Sequence, residues 1–204
     1  MLIQERFFNT VQGEGYWAGA GADFIRLGGC AVGCHFCDTG YAAGAIQPRS
    51  SNVSIDQLVQ DLRSPICVVT GGEPYQQNDL VGLVRSVLDR QIRCHIETSG
   101  VRWLDVDDRA WVTLSPKTRS TGKEVDPKFW GRADEIKAII CTDDDIDYYL
   151  ELLQSLTLRP ECKIFFQPEH SQQREMIPAI VQRLSSLSIA ARLSLQMHKY
   201  IGVR

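Results

Sequence analysis

Short apolar runs alternate with segments of helical periodicity along most of the chain. Residues 66–70 (ICVVT) form a continuous apolar run of strand length, whereas the apolar positions in residues 79–90 recur three and four apart, which is typical of an amphipathic helix. The same criteria predict strands at 23–27, 66–70, 92–97, 110–115, 135–141 and 162–167, with a weaker one at 190–195. They predict helices at 55–62, 79–90, 146–156 and 174–187, and Asn52 or Ser54 as the cap of the first. Residues 40–52 are predicted to form a loop.

Strands that alternate with helices predict βαβ units and a parallel sheet. A closed eight-unit barrel needs about 250 residues, and this chain has 204. We therefore expect an α/β fold in which one domain, residues 1–204, forms an open, partial (β/α)6 barrel with a parallel sheet and helices outside.

Short polar segments directly follow six of the predicted strands. In chain order they read GGC, TGGEP, ETSG, SPK, QPE and QMHKY. The carboxyl ends of parallel strands in a βα barrel lie on one face, where active sites of this architecture are built. We therefore expect the six segments to converge on one mouth that holds the active site.

Composition and charge narrow the class of protein. Apolar residues make up 44% and charged residues 23% of the chain, and 22 Lys and Arg against 25 Asp and Glu leave a net charge of −3. This composition excludes a disordered or rod-like chain, and without a basic block it favours neither nucleic acid nor a membrane as partner. No apolar run reaches the ~18 residues of a membrane span. The N-terminal segment is charged where a signal peptide would be apolar, so we expect a cytoplasmic location.

Three of the seven cysteines, Cys30, Cys34 and Cys37, lie within eight residues of one another. In a reducing compartment such a cluster indicates metal ligands rather than disulfides. Structural zinc normally takes four protein ligands from two separated pairs; no second pair exists, although His35 could supply a fourth ligand. Three thiolates suit an iron–sulfur cluster better, with one iron open to an exogenous ligand. The isolated cysteines are expected to be buried apolar residues: Cys67, Cys94, Cys141 and Cys162.

The spacing C-x3-C-x2-C, with Phe36 before the third cysteine, resembles the signature of the radical S-adenosylmethionine superfamily, whose members have a partial (β/α)6 barrel. GGEP at 71–74 resembles the motif by which that superfamily holds the methionine amino group. Four further segments together resemble the 7-carboxy-7-deazaguanine synthase family: TVQGEG at 10–15, FIRL at 24–27, CDT at 37–39 and LQMHKY at 195–200. The likeness covers essentially the whole chain.

This resemblance implies a radical-mediated ring contraction of 6-carboxy-5,6,7,8-tetrahydropterin to 7-carboxy-7-deazaguanine with loss of ammonia. The reaction is a carbon–nitrogen lyase step on the route to queuosine and other 7-deazapurines. The implied cofactors are a 4Fe-4S cluster, S-adenosylmethionine and Mg²⁺, and the implied partners are a reductant such as flavodoxin or ferredoxin and a second copy of the chain in a homodimer. Two alternatives stay open: a glycyl-radical-enzyme activase of the same superfamily, and a non-catalytic iron–sulfur or zinc module.

Carried over position by position, the resemblance assigns roles to individual residues. Cys30, Cys34 and Cys37 would ligate the cluster, and Thr39 would bind Mg²⁺ unless Asp38-Thr39 only caps a helix. The residues expected to contact the pterin are Val11, Gln12, Gly13, Glu14, Arg26, Thr70 and His198. Those expected to line S-adenosylmethionine are His35, Phe36, Gly72, Glu73, Glu97, Ser99, Ser115, Pro116, Lys117, Gln167 and Pro168.

Elementary chemistry supports some of these roles and leaves others open. Arg26 suits a planar carboxylate because its guanidinium donates two parallel hydrogen bonds. A threonine hydroxyl suits Mg²⁺, which takes oxygen ligands. For His198, plain packing is an equal alternative to substrate contact, and His95 is expected to be structural.

Overall fold

In the computed structural model, which describes residues 1–39, 53–185 and 189–203, eight strands form one sheet in chain order. The strands are β1 (Ile3–Val11), β2 (Gly21–Leu27), β3 (Ile66–Gly71), β4 (Arg93–Thr98), β5 (Trp111–Leu114), β6 (Glu135–Ile140), β7 (Lys163–Pro168) and β8 (Ala191–Leu193). β1 pairs antiparallel with β2, and each later neighbour pairs in parallel. The α-helices are α1 (Ile55–Val59), α2 (Leu80–Asp89), α3 (Thr118–Thr121), α4 (Lys128–Arg132), α5 (Asp143–Ser155), α6 (Gln173–Leu184) and α7 (Met197–Ile201).

Side chains that alternate along each strand give the sheet an apolar face and a polar face. Ile96 of β4 and Ile136 and Ala138 of β6 belong to the main apolar core, which α2 and α5 cover. The intervening residues Glu97 and Lys137 point to the other face and line a cavity. The period of two along a strand therefore places charged residues inside the barrel and apolar residues beneath the helices.

The open α/β fold with helices outside is confirmed, and the seven predicted strands correspond to β2–β8. Ser54 caps α1 through a capping box with Gln57, whereas Asn52 and the predicted 40–52 loop lie outside the described residues. α5 begins at Asp143 rather than at 146, because Thr142 forms a capping box with Asp145. α6 ends at Leu184 rather than at 187. No helix in the described ranges is long and apolar enough to cross a membrane.

The structure corrects the predicted strand count at the N-terminus, where residues 3–11 form the edge strand β1. Charges at Glu5 and Arg6 interrupt its apolar alternation, and its register with β2 shifts twice. Asn9 lies at the second irregularity with φ 55°, where its N–H donates to Asp23. A strand broken by charges and a bulge does not show the strict period of two from which strands are predicted.

Candidate active site

The polar segments that follow the parallel strands converge on one cavity of about 280 Å³. Its wall contains Cys30, Gly72, Ser99, Lys117, Gln167 and His198, one from each of the six segments in chain order. The parallel sheet therefore brings residues from distant parts of the chain to one mouth, as expected from its topology.

A seventh segment, residues 12–20, reaches the same cavity from the opposite end of the strands. It does so because β1 runs antiparallel to β2, so that Val11 pairs with Gly21 at the first residue of β2. Gln12, Gly13 and Glu14 follow and line the cavity. This segment forms what we call the floor of the site.

Contacts with the C-terminal segment fix the floor in place. The Gly13 carbonyl accepts a hydrogen bond from Met197 N at 2.8 Å, and Gly15 N donates to Ser194 Oγ at 3.0 Å. Position 13 requires glycine because an added Cβ would lie 2.1 Å from His198 Nδ1. His198 therefore packs on Gly13 and also lines the cavity, and its contact with the substrate stays a prediction.

The cysteine loop is joined to the GGEP turn by main-chain hydrogen bonds. Gly72 N donates to Leu27 O at 2.9 Å, and Glu73 N donates to Gly29 O at 3.0 Å. The two backbones approach so closely that a Cβ on Gly72 would lie 1.7 Å from the Gly29 carbonyl oxygen. Only glycine fits there, so the two motifs form one rigid unit that presents the thiols to the cavity.

The three clustered thiols suit an iron–sulfur group. Cys30, Cys34 and Cys37 are partly exposed and all line the cavity. Burial raises the pKa of Cys30 and Cys34; repulsion from Glu73 adds to the increase at Cys30, whereas Lys117 partly offsets it at Cys34. Thiolates at these positions therefore need a cationic partner. His35 is exposed and outside the cavity wall, so it does not complete a four-ligand zinc site.

Glu73 of the GGEP turn is held by several hydrogen bonds. Its side chain is buried, and its carboxylate accepts hydrogen bonds from Thr98 Oγ1 at 2.6 Å, from Ser99 N at 2.8 Å and from Ser99 Oγ. It also accepts from Tyr75 N at 3.2 Å. The carboxylate therefore holds the ETSG turn against the GGEP turn. Glu73 also lines the cavity, and its contact with S-adenosylmethionine stays a prediction.

A buried cation joins two carboxylates above the floor. Lys137 Nζ donates to Glu97 at 2.9 Å and to Glu14 at a shorter distance, and Gln12 donates to the other oxygen of Glu97 at 3.1 Å. Burial alone would raise the pKa of Glu14, but Lys137 outweighs it and lowers that pKa to about 2. Glu14 and Glu97 in turn raise the pKa of Lys137 above its usual value despite burial.

Arg26 of β2 lines the cavity between β1 and the cysteine loop. Its Nε donates to Glu5 at 3.0 Å and its NH1 donates to Thr39 Oγ1 at 3.2 Å. The guanidinium carbon also lies 5.8 Å from the centroid of the Phe7 ring, which stacks on Phe24. The guanidinium is therefore held in one orientation by its neighbours at the cavity wall.

Most of the residues expected at the site line this cavity, with two exceptions. His35 is one, and Pro116 is the other, because it is buried away from the wall and its carbonyl accepts from Tyr149. His95 lies outside the cavity, packed against Trp17 and Trp111, and burial lowers its pKa to about 4. These contacts agree with its expected structural role.

Several cavity residues were assigned no role from the sequence: Phe7, Phe24, Asp38, Lys137 and Ile139. A signal existed for Lys137, because a lysine in the otherwise apolar run 136–140 must find a counter-charge if the strand is buried on both faces. For the others, the periodicity of the sequence did not predict which side chains point into the cavity.

The fold and the site are those of a radical S-adenosylmethionine protein, and the model of the Radical SAM superfamily matches residues 24–115. A 7-carboxy-7-deazaguanine synthase from Synechocystis sp. is 36% identical over 97% of this chain and 91% of the relative, and one from Escherichia coli strain K12 is 34% identical over 96% of each. The crystal structure of QueE from Escherichia coli superposes with a TM-score of 0.79 at 32% identity, covering 96% of this chain and 93% of that one. The chain belongs to the 7-carboxy-7-deazaguanine synthase family. This superfamily membership implies a 4Fe-4S cluster and S-adenosylmethionine.

Proposed function

We propose that the chain converts 6-carboxy-5,6,7,8-tetrahydropterin to 7-carboxy-7-deazaguanine with loss of ammonia, as a carbon–nitrogen lyase. The observation that carries this proposal is the distribution of charge in the cavity. On the β2 side the cavity offers the Arg26 guanidinium, and on the side of the floor it offers the carboxylates of Glu14 and Glu97. A ligand with a carboxylate at one edge and N–H donors at another complements both, and the carboxypterin has both.

The residues around the pterin would orient it by hydrogen bonds. Arg26 would bind its carboxylate through the guanidinium edge, while Glu14 and Glu97 would accept from the amino group and ring N–H of the pyrimidinone. This assigns Glu97 to the pterin, whereas the resemblance alone placed it beside S-adenosylmethionine. Val11, Gln12 and Gly13 would add backbone groups at close approach. Thr70 and His198 would complete the wall. All of these residues line the cavity.

The residues around the cofactors form the adjacent part of the wall. When bound, the cluster and S-adenosylmethionine supply a radical that removes a hydrogen atom from the substrate. Cys30, Cys34 and Cys37 would hold the cluster. Gly72, Ser99, Ser115, Lys117, Gln167 and Pro168 would line S-adenosylmethionine, with Phe36 beside the adenine; all line the cavity.

Thr39 is the proposed protein ligand of Mg²⁺. Its hydroxyl accepts from Arg26 and donates to Asp38 at 3.3 Å. The hydroxyl oxygen therefore lies between the guanidinium that would bind the substrate carboxylate and the carboxylate of Asp38. Thr39 would hold Mg²⁺ through this hydroxyl, since Mg²⁺ takes oxygen ligands and commonly uses only one or two from the protein.

The proposal includes a reductant such as flavodoxin or ferredoxin. It also includes a homodimer, and sedimentation of the holoprotein would test this oligomeric state. The relatives described above are 7-carboxy-7-deazaguanine synthases, and they do not favour a glycyl-radical-enzyme activase. A cavity of about 280 Å³ with an enclosed charged floor also suits a small molecule better than a protein backbone.

A comparison of two substrates tests the proposed function. The reconstituted protein is given S-adenosylmethionine and a reductant, with either 6-carboxytetrahydropterin or tetrahydropterin, which lacks the carboxylate. We expect 7-carboxy-7-deazaguanine from the first and no ring-contracted product from the second. Cleavage of S-adenosylmethionine without any deazaguanine from the carboxypterin would refute the assignment.

A further inference from the structure

Lys137 is the most buried cation at the cavity and has no role in the function proposed above. It is 5% exposed, and its ammonium group is paired with carboxylates from two other parts of the chain. Glu14 comes from the floor and Glu97 from β4. Lys137 lies on β6, which is separated from β4 by the single strand β5. One side chain therefore ties three elements together at the point where the floor meets the strands.

We propose that Lys137 is a positioning residue for substrate recognition: its ammonium fixes the Glu14 and Glu97 carboxylates as hydrogen-bond acceptors and thereby selects a ligand edge that carries only donors. This inference rests on the proposed function and deepens it. A protonated carboxyl group could donate as well as accept, so a site with such a group would tolerate a ligand oxygen in place of an amino group.

The electrostatic surroundings of the pair show why the ammonium is needed. Glu14 and Glu97 are each mostly buried. Glu14 also accepts from the side-chain amides of Gln196, at 2.8 Å, and Gln167, and Glu97 accepts from Gln12 at 3.1 Å. Lys117 and His198 also face the group from the SPK turn and from α7. Among the described residues, only Lys137 forms an ion pair with Glu14 or Glu97.

Glu135, two residues before Lys137, shows what happens to a carboxyl group in this barrel that has no ion-pair partner. It is buried, its carboxylate accepts from Tyr16 N at 3.1 Å, and it forms no ion pair with another described residue. Burial, with repulsion from Glu97, raises the pKa of Glu135 to about 7, although the more distant charge of Lys137 acts against this increase. Without Lys137, the same desolvation would raise the pKa of Glu14.

The test measures equilibrium binding, which does not depend on radical chemistry. The probes are the product 7-carboxy-7-deazaguanine and its 2-oxo analogue 7-carboxy-7-deazaxanthine, titrated calorimetrically into the reconstituted holoprotein. The variants are Lys137→Met, which removes the charge from a side chain of similar length, and Lys137→Arg, which keeps it. Glu135→Gln removes the other group that titrates near neutral pH and serves as the control for the pH profile.

The wild type is expected to prefer the 2-amino probe, and its affinity should not change between pH 6 and 8.5. Lys137→Met should bind the 2-amino probe about 30-fold more weakly or worse at pH 6, and this affinity should recover as the pH rises and Glu14 ionises. Its preference over the 2-oxo analogue should shrink. Lys137→Arg should restore the preference and the flat profile, and Glu135→Gln should leave both unchanged.

The alternative outcomes are distinguishable. If Lys137→Met kept wild-type affinity, preference and a flat profile, the inference would be wrong. If Lys137→Met did not fold, Glu14→Gln would take its place, because an amide can also donate and leaves Lys137 paired with Glu97; an unreduced preference in that variant would overturn the inference. If the wild type bound neither probe, the proposed function itself would fail.

Discussion

Replacing Arg26 by alanine asks whether the site recognises a carboxylate. The structure sets the size of the effect. Truncating one partner of a buried charge pair costs about 2–5 kcal/mol. Arg26 already donates to Glu5, and its side chain is 23% exposed. Binding of a substrate carboxylate therefore gains only the difference between the interaction free energy of Arg26 with that carboxylate and with Glu5. We therefore expect the lower part of that range, about 2–3 kcal/mol, or a loss of about 30- to 150-fold in affinity.

The assay separates recognition from cofactor chemistry. Arg26→Ala should raise KM for 6-carboxytetrahydropterin by that factor, whereas cleavage of S-adenosylmethionine in the absence of pterin should persist. Arg26→Lys should recover only part of the affinity, since a point charge cannot reproduce the guanidinium fork.

Arg6 supplies a matched control on the neighbouring strand. It bonds to Asp61 and to the Gln57 carbonyl on the exposed side, so Arg6→Ala should leave KM near the wild-type value. An equal loss of S-adenosylmethionine cleavage and deazaguanine formation in Arg26→Ala would refute the reasoning, because Arg26 would then support the cofactor site or the fold.

Three further predictions concern the cluster, the metal and the fold. Cys37→Ala should abolish the iron and sulfide content and the brown chromophore, whereas Cys67→Ala, in the buried core of β3, should keep them; a full cluster in the first variant would contradict the ligand assignment. Thr39→Ala should weaken the response of turnover to Mg²⁺ concentration while the iron content stays constant, and an unchanged response would favour a capping role. Asp23→Asn should lower the free energy of unfolding by about 2–4 kcal/mol at pH 7. The Asp23 carboxylate accepts from Asn9 N, from Arg63 N and from both N and Oγ of Ser64. An asparagine amide would turn its own N–H towards two of these donors, so their hydrogen bonds would be lost. Burial would raise the pKa of Asp23, but these hydrogen bonds lower it below 3.8, so the difference from wild type in urea unfolding should persist above pH 4 and shrink as the pH falls below it; a difference that grew on acidification would contradict this.

The parallel part of the fold was predictable because each of its strands is an apolar run of strand length followed by a polar segment. That pattern also located the mouth of the site, since parallel strands end on one face. The floor was less accessible to such reasoning. Its position depends on β1 running antiparallel, and the charges of Glu5 and Arg6 conceal that strand in the sequence.

Side-chain partners within the site could not be derived from motifs. GGEP at 71–74 indicates where Glu73 lies in the chain, but its bonds to Thr98 and Ser99 depend on how two strand ends approach. Lys137 and Glu14 are 123 residues apart in sequence, so their pairing follows only from the folded barrel. His35 is exposed although its neighbours line the cavity, because the short cysteine loop turns at Gly29 and Gly33 with positive φ.

The most direct measurement is the yield of ring-contracted product from the wild-type holoprotein. The chain, reconstituted with iron and sulfide, is incubated anaerobically with S-adenosylmethionine, a reductant, Mg²⁺ and 6-carboxytetrahydropterin, and the products are separated and identified by mass. The account predicts 7-carboxy-7-deazaguanine and ammonia in equal amounts. Formation of 5′-deoxyadenosine with the pterin recovered unchanged would contradict it.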